Sequence, residues 1–248
     1  MKLSSEPQPD QHPLSLSIAL HLLPGLLAGV VFVLAGPAAQ KLNLPPFMAF
    51  CFADLVILLP LIWGLLLYQG YKKNGRLSLQ GVVLYREKLP WTQYLLFVPV
   101  VFFASGLIIL ALNPLSNSIR AGLFGWWPPA LDMSADLSPY SRSALILSYL
   151  VNFLVISLIA PITEEVYFRG YLLPRLSRFG LWAVPINSIL FALFHVWSPW
   201  MAVARALGLL PLIFVTVKKK NIYVGMIAHI LVNTLDVLTG IAYILNRF

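Results

Sequence analysis

Four polar residues in the C-terminal half of the chain carry side chains that the hydrolysis of an amide bond requires. That reaction needs an activated water, a proton donor for the leaving amine and hydrogen-bond donors for the oxyanion. Glu164 can act as a general base, and His195 can orient the water or pass its proton on. His229 and Asn233 are spaced i and i+4, so they share a helix face and can clamp an oxyanion.

The spacing of these residues predicts that they lie at a similar depth in a helical bundle. A helical hairpin that turns near Gly180 places Glu164 and His195 the same number of residues from the turn. At 1.5 Å per residue, both lie about 21 Å from it. His229 and Asn233, counted along their own helix from the same side, lie about 14 and 20 Å deep. Three helices therefore place the four side chains at a similar depth in the membrane.

A second acid, Glu165, follows the first and has a basic residue, Arg169, one helical turn away. Residues at i and i+4 can form an ion pair, which lowers the cost of burying either charge. We expect this pair to support an ionised Glu164, because desolvation disfavours a lone buried carboxylate.

A metal-dependent version of the site is the alternative. Two histidines and one glutamate form a common catalytic zinc set, which Glu164, His195 and His229 would supply. Asn233, however, is a poor zinc ligand. Zinc is therefore the one candidate cofactor, and the sequence does not make any cofactor certain. The patterns His-Glu-x-x-His, Gly-x-Ser-x-Gly and Gly-x-Gly-Asp are absent from the sequence, as are nucleotide-binding glycine motifs.

The composition places these residues in a membrane. Of 248 residues, 59% are hydrophobic and 10% are charged, whereas soluble domains carry about 25% charged residues. The net charge of +8 does not predict a nucleic-acid partner, because the basic residues cluster in short loops between apolar runs. Cys51 is the single cysteine, so no intramolecular disulfide is expected. Ionisable residues inside a membrane are costly and mark functional sites.

Apolar runs of about 20 residues predict an all-α, polytopic transmembrane bundle of seven to eight spans. The predicted spans are 15–36, 47–69, 93–112, 143–168, 181–197, 202–217 and 222–245. An eighth arises if the last run breaks near Gly240. With seven alternating spans, the basic clusters in 70–92, 169–178 and 218–220 fall on one side, which the positive-inside rule assigns to the cytoplasm.

This reading divides the chain into three parts. Residues 1–14 form a polar tail without the pattern of a removable signal peptide. Residues 15–142 contain the first transmembrane segments and an external loop, 113–142. Residues 143–248 carry the predicted site.

Three motifs on successive apolar helices resemble the CPBP family, the CAAX-processing and bacteriocin-processing intramembrane proteases. They are Glu164-Glu165-x-x-x-Arg169, Phe191-x-x-x-His195 and His229-x-x-x-Asn233. The resemblance implies an intramembrane endopeptidase that cleaves a membrane-associated protein or peptide. It implies that Glu164 and His195 activate water and that His229 and Asn233 stabilise the oxyanion. From the composition and the basic clusters we expect a lipid bilayer as partner and a site that opens toward the cytoplasmic side, in a prokaryotic plasma membrane. The family is often labelled metalloprotease, although a metal-free glutamate mechanism has been argued for some members.

The same residues also have structural, non-catalytic interpretations. His229 and Asn233 can be interhelical polar contacts, which are common in membrane bundles. Asp54 and Asp236, also in apolar runs, are interpreted as structural or as partners of buried donors. A catalytically silent scaffold or immunity-type protein that binds a partner through its helices is the alternative function. A transporter ranks last, because the sequence lacks two related halves.

Overall fold

The computed structural model describes residues 10–134 and 136–248, so part of the predicted polar tail, residues 1–9, lies outside the described residues. Within this part the chain is all-α, and a lone antiparallel bridge joins Arg86 to Asn221. The α-helices are α1 Leu14–Lys41, α2 Pro46–Ala53, α3 Leu59–Asn74, α4 Trp91–Leu123, α5 Arg142–Asn152, α6 Ala160–Glu164, α7 Ala183–Phe194, α8 Ala202–Gly208, α9 Leu210–Lys219 and α10 Tyr223–Arg247. Wider π-helical turns occupy Asp54–Leu58, Phe153–Ile159 and Glu165–Leu172, and tighter 3₁₀ turns occupy Pro129–Leu131, Leu173–Trp182 and Pro199–Met201.

The long helices are apolar on their outer faces as well as their inner ones. Leu34 in α1 is 73% exposed and Leu95 in α4 is 64% exposed. Water disfavours such a surface, whereas lipid accepts it, because every backbone polar group of a helix is bonded within the helix. The described chain is therefore a helical bundle of an integral membrane protein.

In the described residues, five helices are long and apolar enough to cross a membrane. They are Leu14–Lys41, Pro46–Asn74, Trp91–Leu123, Arg142–Phe194 and Tyr223–Arg247. A sixth crossing arises if Pro199–Gly208 and Leu210–Lys219, which are bent by 41°, form one broken span.

The predicted seven to eight spans are not confirmed, and the difference lies in the two segments around His195. Gly180 has φ 58° and ψ −129°, so it interrupts the Arg142–Phe194 helix with a conformation that favours glycine. The α7 limb that follows has 12 residues and is about 18 Å long, whereas the hydrocarbon core is about 30 Å thick. Gly240 lies inside α10, so the last run does not break there.

The three basic segments meet at one end of the bundle. The backbone of Leu84 donates to Gly170 O at 2.8 Å, and that of Glu87 donates to Lys220 O at 3.0 Å. Arg175 Nη1 donates to Val82 O at 3.1 Å. The loop between α3 and α4 is thereby held against the other two basic segments, and we call this the basic end of the bundle.

The long helix that carries Glu164 is irregular on both sides of it. Phe153–Ile159 precedes α6 and Glu165–Leu172 follows it, both as π-helix. Wider turns loosen the regular backbone ladder and are often found at functional sites. Asn233 Nδ2 donates to Ile156 O at 3.0 Å, and Ser157 Oγ donates to Asn233 O at 3.1 Å. The π turn before α6 is thus bonded to α10, which fixes the two helices relative to each other.

Candidate active site

A cavity of about 520 Å³ lies inside the bundle, and Glu164, His195, His229 and Asn233 all line it. The four residues come from α6, the end of α7 and α10. The structure therefore brings together the residues that the sequence predicts for the site. Asp54 and Asp236, interpreted from the sequence as structural, line the same cavity.

The His229 ring lies between the two neighbouring acids. Its Nδ1 is 3.1 Å from Glu165 Oε1, and its Nε2 is 3.8 Å from Glu164 Oε2. A carboxylate only accepts hydrogen bonds, so Nδ1 is the donor in the contact with Glu165. The second distance is too long for a hydrogen bond. His229 is therefore fixed by Glu165 and presents Nε2 beside Glu164.

The second acid also forms the expected ion pair. Arg169 Nε is 3.5 Å from Glu165 Oε2, and both side chains are fully buried. The Arg169 guanidinium lies over the Phe191 ring, 4.0 Å from its centroid. Burial without this pairing would be costly for either charge. Glu165 thus contacts two side chains, the His229 ring of the cavity through one oxygen and the buried Arg169 through the other.

His195 occupies the point at which α7 ends. Its φ of −81° and ψ of 61° are not helical, and its Nδ1 is 2.9 Å from Phe191 O. Because a carbonyl only accepts, Nδ1 carries the proton, and a neutral ring keeps Nε2 as its acceptor. Gly25 of α1 permits this turn to pack closely, since a Cβ there would overlap the Phe194 carbonyl.

Asn233 is partly committed to structure. One hydrogen of its side-chain amide is used by Ile156 O at 3.0 Å, whereas a primary amide has two. The other hydrogen remains for a second acceptor. The predicted oxyanion pair is thus present on one face of α10, with some of its donors already engaged by Glu165 and Ile156.

Sequence reasoning missed Arg205, which also lines the cavity. This arginine of α8 donates from Nη2 to Ser198 Oγ at 2.9 Å. The available signal was an arginine inside the apolar run 202–217, because charged residues at membrane depth default to functional hypotheses.

Asp54 is 1% exposed, and its Oδ1 has no hydrogen-bond partner within residues 10–134 and 136–248. It begins the π-helical turn Asp54–Leu58. The sequence interpretation of Asp54 as a partner of a buried donor finds no such donor at this oxygen in the described chain.

The geometry also bears on the zinc alternative. In the described part of the chain, no group of three or more His, Cys, Asp or Glu side chains is arranged to hold a metal ion. Glu164, His195 and His229 share the cavity without forming such a group. The donor positions do not fit a zinc site, so no step below passes through a metal.

Fold and cavity together define an integral membrane protein with acid, imidazole and amide groups enclosed in its helical bundle. Residues 146–235 match the family described as Type II CAAX prenyl endopeptidase Rce1-like. This match agrees with the family resemblance that the three motifs carry. Neither the curated proteins nor the solved structures gave a match to the chain.

Proposed function

We propose that the protein is an intramembrane endopeptidase that hydrolyses a peptide bond of a membrane-associated protein or peptide. The observation that carries the proposal is the shared cavity, in which Glu164, His195, His229 and Asn233 face a common space. The protease family of residues 146–235 supports the same reaction class.

Glu164 and His195 are the residues that activate water in this proposal. Glu164 is the general base, because it lines the cavity with His195 and lies beside His229, whereas Glu165 is held by Arg169 and His229. His195 presents Nε2 as an acceptor, since Nδ1 is bound to Phe191 O. A water between them can donate one hydrogen to each, which orients its oxygen for attack.

The bond changes follow from these positions. The water oxygen bonds to the carbonyl carbon, Glu164 takes the water proton, and the π electron pair moves to the carbonyl oxygen. The free amide hydrogen of Asn233, and Nε2–H of His229 when that ring carries both protons, donate to the oxyanion. When the electron pair returns, the C–N bond breaks and the proton passes from Glu164 to the amine. The immediate products are a carboxylic acid and an amine, and the acid then passes its proton to the amine, which leaves a carboxylate and an ammonium group.

The basic end of the bundle supports an opening to the cytoplasm. Positively charged loops of membrane proteins concentrate on the cytoplasmic side, which in this proposal is the inner face of a prokaryotic plasma membrane. His229 lies seven residues after Ile222 in the chain, and Ile222 N donates to Tyr85 O of the basic loop. The cavity is therefore about 10 Å below that end, within reach of an extended peptide from the cytoplasmic side.

Glu164→Gln and His195→Ala test the proposal directly. The purified variants are placed in proteoliposomes with a library of peptides derived from membrane proteins, and cleavage is followed by mass spectrometry. We expect each variant to lose about 10²- to 10⁴-fold in rate, because acid–base groups contribute that much. Glu87→Gln, an exposed acid of the basic loop, should cleave as the wild type does.

Two outcomes contradict the proposal. Unchanged cleavage in both variants removes these residues from catalysis. A wild-type protein that binds peptides without cleaving any of them favours the silent scaffold instead. The zinc alternative is tested by measuring zinc per purified protein. Stoichiometric zinc that is lost when His195 or His229 is replaced would overturn the oxyanion assignment of His229.

A further inference from the structure

Arg205 is a cation of the cavity wall that forms no ion pair with a carboxylate among the described residues. Nη2 donates to Ser198 Oγ at 2.9 Å. Nη1 is buried and has no hydrogen-bond partner among residues 10–134 and 136–248. In the same residues, the charge of Arg169 is paired with Glu165, although its N–H groups also have no hydrogen-bond partner there. Arg175 Nη1 donates to the carbonyls of Val82 and Tyr171. Arg205 thus keeps donor capacity that the fold itself does not use.

An unpaired arginine at membrane depth is costly. Removing a charge from water costs several kcal/mol in practice, and nearby opposite charge or hydrogen bonds must offset this. A leucine at this position of α8 would avoid that cost. Retaining a guanidinium beside the site is therefore explained best by an anionic group that is present only while the site is occupied.

Local structure holds Arg205 close to the water-activating histidine. The backbone of Ser198 donates to His195 O at 3.1 Å, which closes a tight turn after α7. The hydroxyl of Ser198 then receives the Arg205 guanidinium. The guanidinium is therefore positioned by the same turn that ends α7 at His195.

Arg205 and Glu164 also stand on separate walls of the cavity. The α8 helix packs against α4 and α7, whereas α6 packs against α10 and α3. Between Arg205 and any carboxylate of the described residues there is no ion pair. A peptide carbonyl that is attacked from the Glu164 side can turn its oxygen toward the wall that carries Arg205.

We infer that Arg205 is a further catalytic residue, which donates from its guanidinium to the oxyanion of the tetrahedral intermediate. The inference rests on the proposed peptidase function. As the water oxygen bonds to the carbonyl carbon, the π electron pair moves onto the carbonyl oxygen, and Arg205 stabilises that negative charge. The pair returns when the C–N bond breaks, and the arginine keeps its protons throughout. Arg205 adds a permanent charge to the donors of His229 and Asn233, which are partly engaged by Glu165 and Ile156.

The test uses Arg205→Ala and Arg205→Lys in proteoliposomes, with the peptide that the wild type cleaves fastest. We expect kcat to fall about 10²- to 10³-fold for Arg205→Ala, as when an oxyanion donor is removed, while KM changes little. Guanidinium ion, added well below denaturing concentrations, should restore part of the lost kcat. The kcat of Arg205→Lys should lie between those of the wild type and Arg205→Ala, because lysine keeps the charge without the planar donors. Arg76 is an exposed arginine of the basic loop. The kcat of Arg76→Ala should equal that of the wild type and should not change when guanidinium is added.

A second arm separates the oxyanion from a carboxylate of the substrate. The same peptide is made with a free or an amidated C-terminus, and with its acidic side chains replaced by amides. Equal losses of kcat on all forms support the inference. A rise in KM that appears only when a particular carboxylate is present overturns it in favour of substrate recognition. Retained kcat in Arg205→Ala, or a loss that guanidinium does not restore, also overturns it.

The two proposals fail in distinguishable ways. Full activity in Glu164→Gln contradicts the proposed function itself. An inactive Glu164→Gln together with a fully active Arg205→Ala contradicts only the role of Arg205.

Discussion

Two arginine–carboxylate pairs in the molecule show how differently a bilayer protein uses charge. At the end of α4, Arg120 Nη2 is 2.5 Å from Asp132 Oδ2, and the two side chains are 30% and 23% exposed. In the bundle interior, Arg169 Nε is 3.5 Å from Glu165 Oε2, and neither side chain is exposed. The shorter Arg120–Asp132 contact contributes less to stability, because water screens its charges. The charges of Arg169 and Glu165 are out of water, so each depends on the other.

The interior pair also has a second task that the outer pair lacks. Glu165 holds the His229 ring at 3.1 Å, whereas Asp132 bonds to Ser134 in its own loop and to Arg120 near the end of α4. We therefore regard the interior pair as the support of the candidate site. The outer pair, with Arg120 stacked 4.9 Å from the Trp200 ring centroid, serves to order the surface loops.

The largest effect on stability is expected from Glu165→Gln. The change keeps the shape of the side chain but leaves Arg169 buried without a counterion and loosens His229. Breaking a buried pair costs about 3–5 kcal/mol in the free energy of unfolding. Thermal unfolding in detergent micelles should show a clear loss of stability, together with lost cleavage. If Glu165→Gln unfolds at the same temperature as Glu87→Gln, the interior pair does not stabilise the fold.

A smaller effect on stability but a strong one on activity is expected from Asn233→Ala. The variant loses the bond to Ile156 O, which contributes about 1 kcal/mol, and one oxyanion donor. We expect kcat to fall about 10²- to 10³-fold, measured on the same peptide. Thr234→Ala is the matched control, because the Thr234 hydroxyl bonds within its own helix to Ile230 O. Equal kcat in the two variants would assign Asn233 to structure alone.

The smallest effect is expected from Asp132→Asn. Removing a partly exposed pair costs at most about 1 kcal/mol, and cleavage should not change. Burial raises the pKa of Asp132, but the hydrogen bonds of Ser134 and the charge of Arg120 outweigh it and hold this pKa below its usual value.

A lowered carboxyl pKa stabilises the fold above the unfolded-state pKa, and this contribution is lost as pH falls through the folded-state value. The unfolding temperatures of wild type and Asp132→Asn, compared from neutral to acidic pH, should therefore converge on acidification. A gap that widens toward acid would mean that the outer pair does not act through the ionised Asp132.

The sequence predicts the fold class well and the number of spans poorly, for physical reasons. Hydropathy reports that residues 181–197 and 202–217 suit lipid, but it does not report where a helix ends. The end of α7 depends on the backbone of His195 and on Gly25 packing against the same turn. These are tertiary contacts, which a one-dimensional apolar run does not contain.

The candidate site was predictable where it follows helical periodicity. The i, i+4 spacings of Glu165 with Arg169 and of His229 with Asn233 appear in the structure as a buried pair and as one cavity-lining face. Arg205 was not predictable in the same way. Its importance depends on Ser198 and on the enclosed cavity, which no local spacing encodes.

In the proposed reaction, Glu164 activates water for peptide-bond hydrolysis inside this cavity. The most direct measurement is cleavage of one peptide in ¹⁸O-labelled water by wild type and by Glu164→Gln, at equal protein in proteoliposomes. We predict that the wild type places labelled oxygen in the new carboxylate and that Glu164→Gln forms almost no product. Labelled product formed at the same rate by both proteins would show that Glu164 does not activate the water.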